Sequence, residues 1–227
     1  MLPMPAACWL CQMPLAFARH GLCSVCLRQL LRQPPCCPQC GLASARPRQP
    51  CGRCLQNPPP WQQRIAVTAW QPPLSLLVNR LKFSDGTAQA DMLARLILLK
   101  WLMRLRENGL PRPDLLLRVP LYHHRAWQRG YNQLDDIAAR LAHWLQCRYD
   151  PRGVIRIRGG KIQHRLGRLA RRRNLRGAFR VESAVQGRHI LLIDDVITTG
   201  STLAEISRIL LAHGAASIQA GCLCRTL

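Results

Sequence analysis

Residues 189–202 read HILLIDDVITTGST, and this run narrows the possible folds more than any other part of the chain. Ile190 to Ile193 are four apolar residues in succession, the pattern of a strand buried in a parallel sheet. The strand is expected to end on Asp194 and Asp195. Val196 and Ile197 follow, and Thr198, Thr199, Gly200, Ser201 and Thr202 then open a helix. A helix N-terminus presents unpaired N–H groups and the positive end of its dipole to an anion. The threonine and serine hydroxyls add donors, and Gly200 permits a tight turn with close backbone approach. Two adjacent carboxylates can accept from the vicinal hydroxyls of a ribose, directly or with Mg2+ beside them. The run therefore suits a 5-phosphate carried on its ribose.

The surrounding sequence supplies a sheet to hold it. From residue 114 onward LLLRVP (115–120), GVIRIR (153–158), AFRV (178–181), HILLID (189–194) and SIQAGCLC (217–224) read as strands, and 133–146 and 201–213 as helices. Upstream, 64–70 reads as a strand. Residues 74–83 read as an amphipathic helix with Leu74, Leu77, Val78 and Leu81 on one face, and 88–106 as a second helix stopped by Asn108-Gly109. Alternating strands and helices predict an α/β fold: a parallel sheet with flanking helices and ligands at the carboxyl ends of its strands. Residues 159–178 read as a long basic loop. Three segments are expected: a cysteine-rich module over 1–57, a linking strand and helices over 58–110, and the α/β domain over 111–227.

The 189–202 run resembles the signature of the type I phosphoribosyltransferases. By that resemblance Asp194 and Asp195 match the ribose-binding acids, and Thr198, Thr199, Gly200, Ser201 and Thr202 match the 5-phosphate loop. Ser201 stands where the family often has Gly or Ala; a serine keeps a donor there. Other segments narrow the likeness. Val119-Pro120-Leu121 with Arg129-Gly130-Tyr131-Asn132-Gln133 resembles the "VP…RGxNQ" pattern of the competence protein F (ComF/GntX) family. Gln163, Arg171, Asn174 and Ala178-Phe179 resemble its Q…R…N…AF segment, and Leu81-Lys82-Phe83 its LKF element.

That resemblance covers essentially the whole chain. It implies roles in natural competence or in the use of external DNA as a nutrient, with phosphoribosyl diphosphate or a related phosphorylated ribose as ligand, Mg2+ accompanying the diphosphate, and a DNA-processing protein as a partner. The loop holding Pro120, Arg129, Gly130 and Asn132 is expected to hold pyrophosphate, or only to turn the chain into the next helix. The loop holding Gln163, Arg171 and Asn174 either closes over the diphosphate or meets a nucleic-acid backbone. Three readings stay open: an accessory protein for handling DNA, an active phosphoribosyltransferase on an unknown nitrogen acceptor, and a regulatory protein that senses the diphosphate. No base-binding hood, Ser-His-Asp or Cys-His nucleophile, Walker A pattern or helix-turn-helix stands out, so no catalytic residue is assigned.

Eight of the twelve cysteines form four C-x-x-C pairs: Cys8/Cys11, Cys23/Cys26, Cys37/Cys40 and Cys51/Cys54. Regular pairs of this kind are zinc spacing, and eight thiolates suit two structural four-cysteine sites with no open coordination position. Sequential pairing and a cross-brace both fit. Residues 1–56 show no helical or strand period of useful length, so metal is expected to hold them. Cys36, Cys147, Cys222 and Cys224 are read as non-ligands, and Trp9, Trp61 and Trp70 as packing residues rather than stacking platforms for bases. His123-His124 and His213 are not assigned a role.

The formal net charge is +22, and it is unevenly placed. Residues 1–84 hold nine Arg or Lys and no acid, and residues 151–181 hold eleven and no acid. Such stretches point to an anionic partner, nucleic acid or a phosphorylated ligand or both, rather than to a merely solvated face; together with the resemblance they imply single-stranded DNA. No run of about 18 apolar residues is present, which argues against a membrane-spanning helix. The N-terminal residues lack signal-peptide features, and metal-binding thiols fit a reducing compartment, so a cytoplasmic location is expected.

Overall fold

The computed structural model describes residues 6–81, 87–120, 132–158 and 175–226. The apolar runs line up as five strands: β1 (Gln63–Ala69), β2 (Leu115–Arg118), β3 (Arg148–Tyr149), β6 (His189–Ile197) and β7 (Ser217–Arg225). Their order is β1-β7-β6-β2-β3, and every neighbouring pair is parallel. β7 is buried at every position, which is why its sequence, apart from Gln219 and Arg225, is apolar or small on both alternating sets rather than on one. β3 has only two residues and no sequence signal strong enough to announce it.

Both faces are covered by helices. α3 (Leu74–Leu81), α4 (Thr87–Asn108) and α5 (Gln133–Leu145) lie on one face. There Leu93, Leu96, Ile97, Ile137 and Leu141 share a core with Ile65, Leu116, Leu191 and Ile193. α6 (Ser201–Ala212) lies on the other, where Leu203, Ile206 and Leu210 meet Ile190, Leu192, Ile218 and Ala220. Each such side chain contributes about 1.5–3 kcal/mol by leaving water. α5 starts where it does because Asn132 caps it, its side chain accepting from Leu134 N–H at 3.0 Å, with Asp135 and Asp136 in the first turn favouring the dipole.

Two sequence-read strands leave the parallel sheet. β4 (Val154–Arg156) and β5 (Phe179–Val181) pair antiparallel as a separate hairpin. The link from β3 to β4 is a tight turn at 150–153, too short for the crossover that a parallel neighbour requires. Val154 and Phe179 bury against the α6 side of the core. Asp150 holds the turn: Ser183 Oγ donates to it, and so does Arg152 N–H at 3.0 Å.

Burial alone would push the Asp150 carboxyl up, but the hydrogen bonds from Ser183 and Arg152 N–H and the charge of Arg148 outweigh it and hold it below the ordinary value. A depressed folded-state pKa means stability that is present above the unfolded value of about 3.9 and lost as pH falls below it. Asp150→Asn is therefore expected to flatten the acid limb of the stability curve below about pH 4. Urea midpoints measured across that range check this; an unchanged acid limb would count against it.

The cysteine-rich segment, whose sequence shows no helical or strand period of useful length, nevertheless holds regular structure. It carries α1 (Ser24–Leu31) and α2 (Gly52–Gln56), each starting directly after a cysteine, Cys23 and Cys51. These helices are too short for a period to stand out. The segment also buries apolar surface against the rest of the chain: Cys8, Leu22, Cys26 and Leu30 belong to the core that contains Met92 and Leu96 of α4. It covers the open edge of β1 as well. Arg64 N–H donates to Pro38 O at 2.9 Å, and Gln33 Nε2 donates to the carbonyls of Ala66 and Val67. Sheet edges left unpaired invite wrong partners, so this cover has a clear structural use.

Candidate functional site

β6 runs three residues past Asp194, further than the sequence indicated. β2 pairs with it only as far as Arg118 opposite Ile193, with one more bond from Val119 N–H to Ile193 O at 2.9 Å. β7 stays paired to the end, Asp194 opposite Cys222 and Ile197 opposite Arg225. Asp194 and Asp195 thus sit on a strand end that has lost its β2 neighbour, and both are half-buried. β6 leads on through α6 to β7 on one side, while β2 leads through α5 to β3 on the other. The chain therefore diverges between β2 and β6, and such a divergence opens a crevice at the carboxyl ends of the strands.

The loop after β6 forms one wall of that crevice. Gly200 takes φ +73 and caps α6 with no side-chain bond to the cap. Its left-handed backbone is the reason for a glycine there. Thr199 Oγ1 lies 2.9 Å from Ser201 Oγ and accepts from Ser201 N–H at 3.4 Å, while Thr198 and Thr199 are exposed. The exposed hydroxyls of Thr198 and Thr199 thus stand at the positive end of a helix of twelve residues. Asp194 Oδ1 accepts from Asp195 N–H and Asp195 Oδ1 from Val196 N–H, fixing both carboxylates by their own backbone.

The opposite wall begins at Pro120, half-buried just past the end of β2. Asn132 is buried as the cap of α5, and its Nδ2 finds no hydrogen-bond partner among the described residues. Between them Arg129 and Gly130 lie outside the described residues, as do His123 and His124. So do Gln163, Arg171 and Asn174 of the basic loop, and Lys82 and Phe83. Sequence reasoning missed a cluster that braces this wall. Arg118 Nε and Tyr149 OH both donate to Asp135 Oδ1, tying the end of β2 and β3 to the first turn of α5. Burial, and then the Asp135 carboxylate, push the Tyr149 phenol well up, so it stays a donor. The three residues are far apart in sequence and carry no local signal.

The eight paired cysteines form two groups. Cys8, Cys11, Cys23 and Cys26 converge, as do Cys37, Cys40, Cys51 and Cys54, with the sulfurs of each group within 4.8 Å of one another. Pairing is thus sequential. Contacts such as Cys11–Cys23 at 3.6 Å and Cys40–Cys51 at 3.5 Å approach the ~3.8 Å that separates two sulfurs on one tetrahedral Zn2+. Burial alone would push the Cys8 and Cys37 thiols up. Backbone N–H groups outweigh it, those of Cys11 and Cys23 for Cys8 and those of Cys40 and Cys51 for Cys37, and bring each down to about 6. Four convergent sulfurs with thiolate-stabilising N–H donors fit Zn2+, and each group can hold one ion.

Cys222 and Cys224 are core residues, as the sequence indicated. Cys36 lies outside both groups, and Arg104 Nη2 stands 3.1 Å from its sulfur. Trp61 is buried. No helix among the described residues is long and apolar enough to cross a membrane.

A family model for the phosphoribosyl transferase domain matches residues 132–227. The DNA utilization protein YhgH of Salmonella typhi is 52% identical over 100% of both chains. Competence protein F of Haemophilus influenzae is 38% identical over 93% of both. This chain belongs to their family. In this competence protein F family member a parallel α/β sheet is joined to two four-cysteine groups. Among solved structures, a purine phosphoribosyltransferase from Pyrococcus horikoshii matches at 18% identity over 71% of this chain and 77% of that one, with a TM-score of 0.33.

Proposed function

We propose that this competence protein F family member acts in the use of external DNA by binding a phosphorylated ribose, phosphoribosyl diphosphate or a close relative, in the crevice between β2 and β6. The observation that carries this reading is the loop of Asp194 to Thr202, with its acids where β2 stops pairing along β6 and its hydroxyls at a helix N-terminus. Asp194 and Asp195 take the ribose hydroxyls, with Mg2+ accompanying the diphosphate. Thr198, Thr199, Gly200, Ser201 and Thr202 take the 5-phosphate. Pro120, Arg129, Gly130 and Asn132 serve the pyrophosphate end, and Gln163, Arg171 and Asn174 belong to the closing loop. Each four-cysteine group holds one structural Zn2+. The cysteine module ends at 57 and the linking strand and helices at 110, with β1 of that link joining the sheet of the α/β domain, and the location is cytoplasmic.

Single-stranded DNA is the proposed polyanion. Arg46, Arg48 and Arg53 are exposed beside the second cysteine group, and Arg152, Arg158, Arg176 and Arg180 around the β4–β5 hairpin. Their charge suits backbone phosphates, with a DNA-processing protein as partner. A second reading, transfer of the phosphoribosyl group to a nitrogen acceptor, is favoured by the same topological divergence, since that is where α/β enzymes hold such ligands.

Titration calorimetry of the full-length, zinc-loaded protein with phosphoribosyl diphosphate and Mg2+ tests the reading, with and without a single-stranded oligonucleotide. Binding is expected, and Asp194→Asn/Asp195→Asn is expected to weaken it at least a hundredfold, since charged hydrogen bonds contribute about 1.5–3 kcal/mol each. DNA retention should fall steeply with salt. Phosphoribosyl diphosphate binding unaffected by the double variant would overturn the site, and no DNA retention at low ionic strength would overturn the DNA role. Pyrophosphate release with a base would favour the transferase reading.

A further inference from the structure

The second cysteine group and the phosphate loop are joined by one side chain. Trp61 Nε1 donates to Gln39 O at 2.9 Å, and Gln39 lies in the knuckle between Cys37 and Cys40. The other end of the same indole covers Gly200: a Cβ built on that glycine would stand 3.2 Å from Trp61 Cη2. A parallel route runs one strand over. Arg225 Nη1 donates to Gly41 O, and the next residue, Thr226, donates its N–H to Ile197 O at 3.0 Å, where the loop begins. The first cysteine group has a different neighbour. Gly21, just before Cys23, lies against Met92 of α4.

The charges at the knuckle agree with a metal-loaded second group. Arg64 and Arg225 are more than nine-tenths buried, and both guanidinium groups lie about 3.3 Å from where a Cβ on Gly41 would stand. Arg64 Nε and Nη2 and Arg225 Nε find no hydrogen-bond partner among the described residues. Burial, and then Arg225, bring the Arg64 guanidinium down to about 10, so it remains charged at neutral pH. Two buried cations side by side are costly unless negative charge compensates them. Four thiolates around one Zn2+ carry two net negative charges, which a loaded second group would set beside these two cations.

We propose that Trp61 is a positioning residue that couples the second cysteine group to the phosphate loop, so that metal at Cys37, Cys40, Cys51 and Cys54, and not at the first group, sets how well the loop is formed. Arg64 and Arg225 hold the loaded knuckle against the sheet, and Trp61 transmits its position to Gly200. The effect on ligand affinity rests on the phosphoribosyl reading above; the effect on the loop itself does not.

Two readouts separate them. Hydrogen exchange across residues 197–203 is followed in the full-length protein and in Cys11→Ser, Cys40→Ser and Trp61→Phe, alongside titration with phosphoribosyl diphosphate. Trp61→Phe keeps an aromatic ring in the core but removes the bond to Gln39. Cys40→Ser and Trp61→Phe are expected to speed exchange in 197–203 and weaken binding about tenfold, while Cys11→Ser acts first on α4 around Met92 and changes both several-fold less. If Cys11→Ser loosens the loop as much as Cys40→Ser, metal acts only through global stability and the coupling is refuted. If Cys40→Ser does not fold, Trp61→Phe decides: unchanged exchange across 197–203 overturns the proposal. If the wild type binds no phosphoribosyl diphosphate while loop exchange still follows the second group, the ligand reading fails and the coupling stands.

Discussion

Stripping metal from the reduced protein with a strong chelator is expected to unfold far more than its first 57 residues. The two groups can hold two ions, and structural Zn2+ sites of this type contribute about 10–16 kcal/mol each in isolated peptides at neutral pH. A whole domain is stable by only about 5–15 kcal/mol. The loss would also propagate. Leu22, Cys26 and Leu30 cover Met92 and Leu96 of α4, and the second knuckle caps the β1 edge through Pro38 O. Releasing either group exposes core that the sheet needs. The change should be cooperative, with loss of near-UV signal and a shift in tryptophan fluorescence, and it should reverse on adding back about two equivalents of Zn2+. Lowering pH should do the same, because thiolates must be deprotonated to hold metal. An unchanged melting temperature after metal has been shown to leave would contradict this account.

Gly200→Val is expected to cost roughly 3 kcal/mol of stability and to remove most phosphoribosyl diphosphate binding. Two effects act together. A β-branched residue at φ +73 is strained, by about 1–3 kcal/mol. Its Cβ would also meet Trp61 Cη2 at 3.2 Å, and overpacking of this kind costs a further 1–3 kcal/mol, roughly. Part of the second cost should vanish when the ring is shortened. In a double-mutant cycle with Trp61→Phe the two substitutions should interact by about 1 kcal/mol, since the residues touch. Urea midpoints for the four proteins measure this. Strict additivity would mean that the indole does not constrain the loop, while an unaltered midpoint for Gly200→Val alone would mean that the turn is more adaptable than its backbone implies.

Much of this protein was legible without coordinates. The HILLIDDVITTGST run announced strand, acids, glycine turn and helix, because each depends on chemistry local to a dozen residues. The C-x-x-C pairs announced four-cysteine sites for the same reason, since ligand spacing within a pair is a short-range property. The reading was weaker wherever an element was short. β3, α1 and α2 escaped notice, having too few residues for a period to emerge. GVIRIR and AFRV read correctly as strands yet joined a hairpin of their own, because strand propensity does not name a partner.

Relations between distant residues depended on the tertiary structure. Which cysteine pairs share a site, where β2 stops pairing along β6, and the junction of Asp135 with Arg118 and Tyr149 all follow from long-range packing. The same holds for Trp61, which links Gln39 to Gly200 across 22 residues in one direction and more than a hundred in the other. The sequence by itself determined the chemistry each segment can offer: acids, hydroxyls and a flexible turn at 194–202, and thiols in pairs over 8–54. Tertiary structure alone decided that the knuckle of Cys37 and Cys40 is joined to the 194–202 loop through Trp61, because burial of a tryptophan, and of two arginines on β1 and β7, is a cooperative result of the whole core and leaves no local pattern.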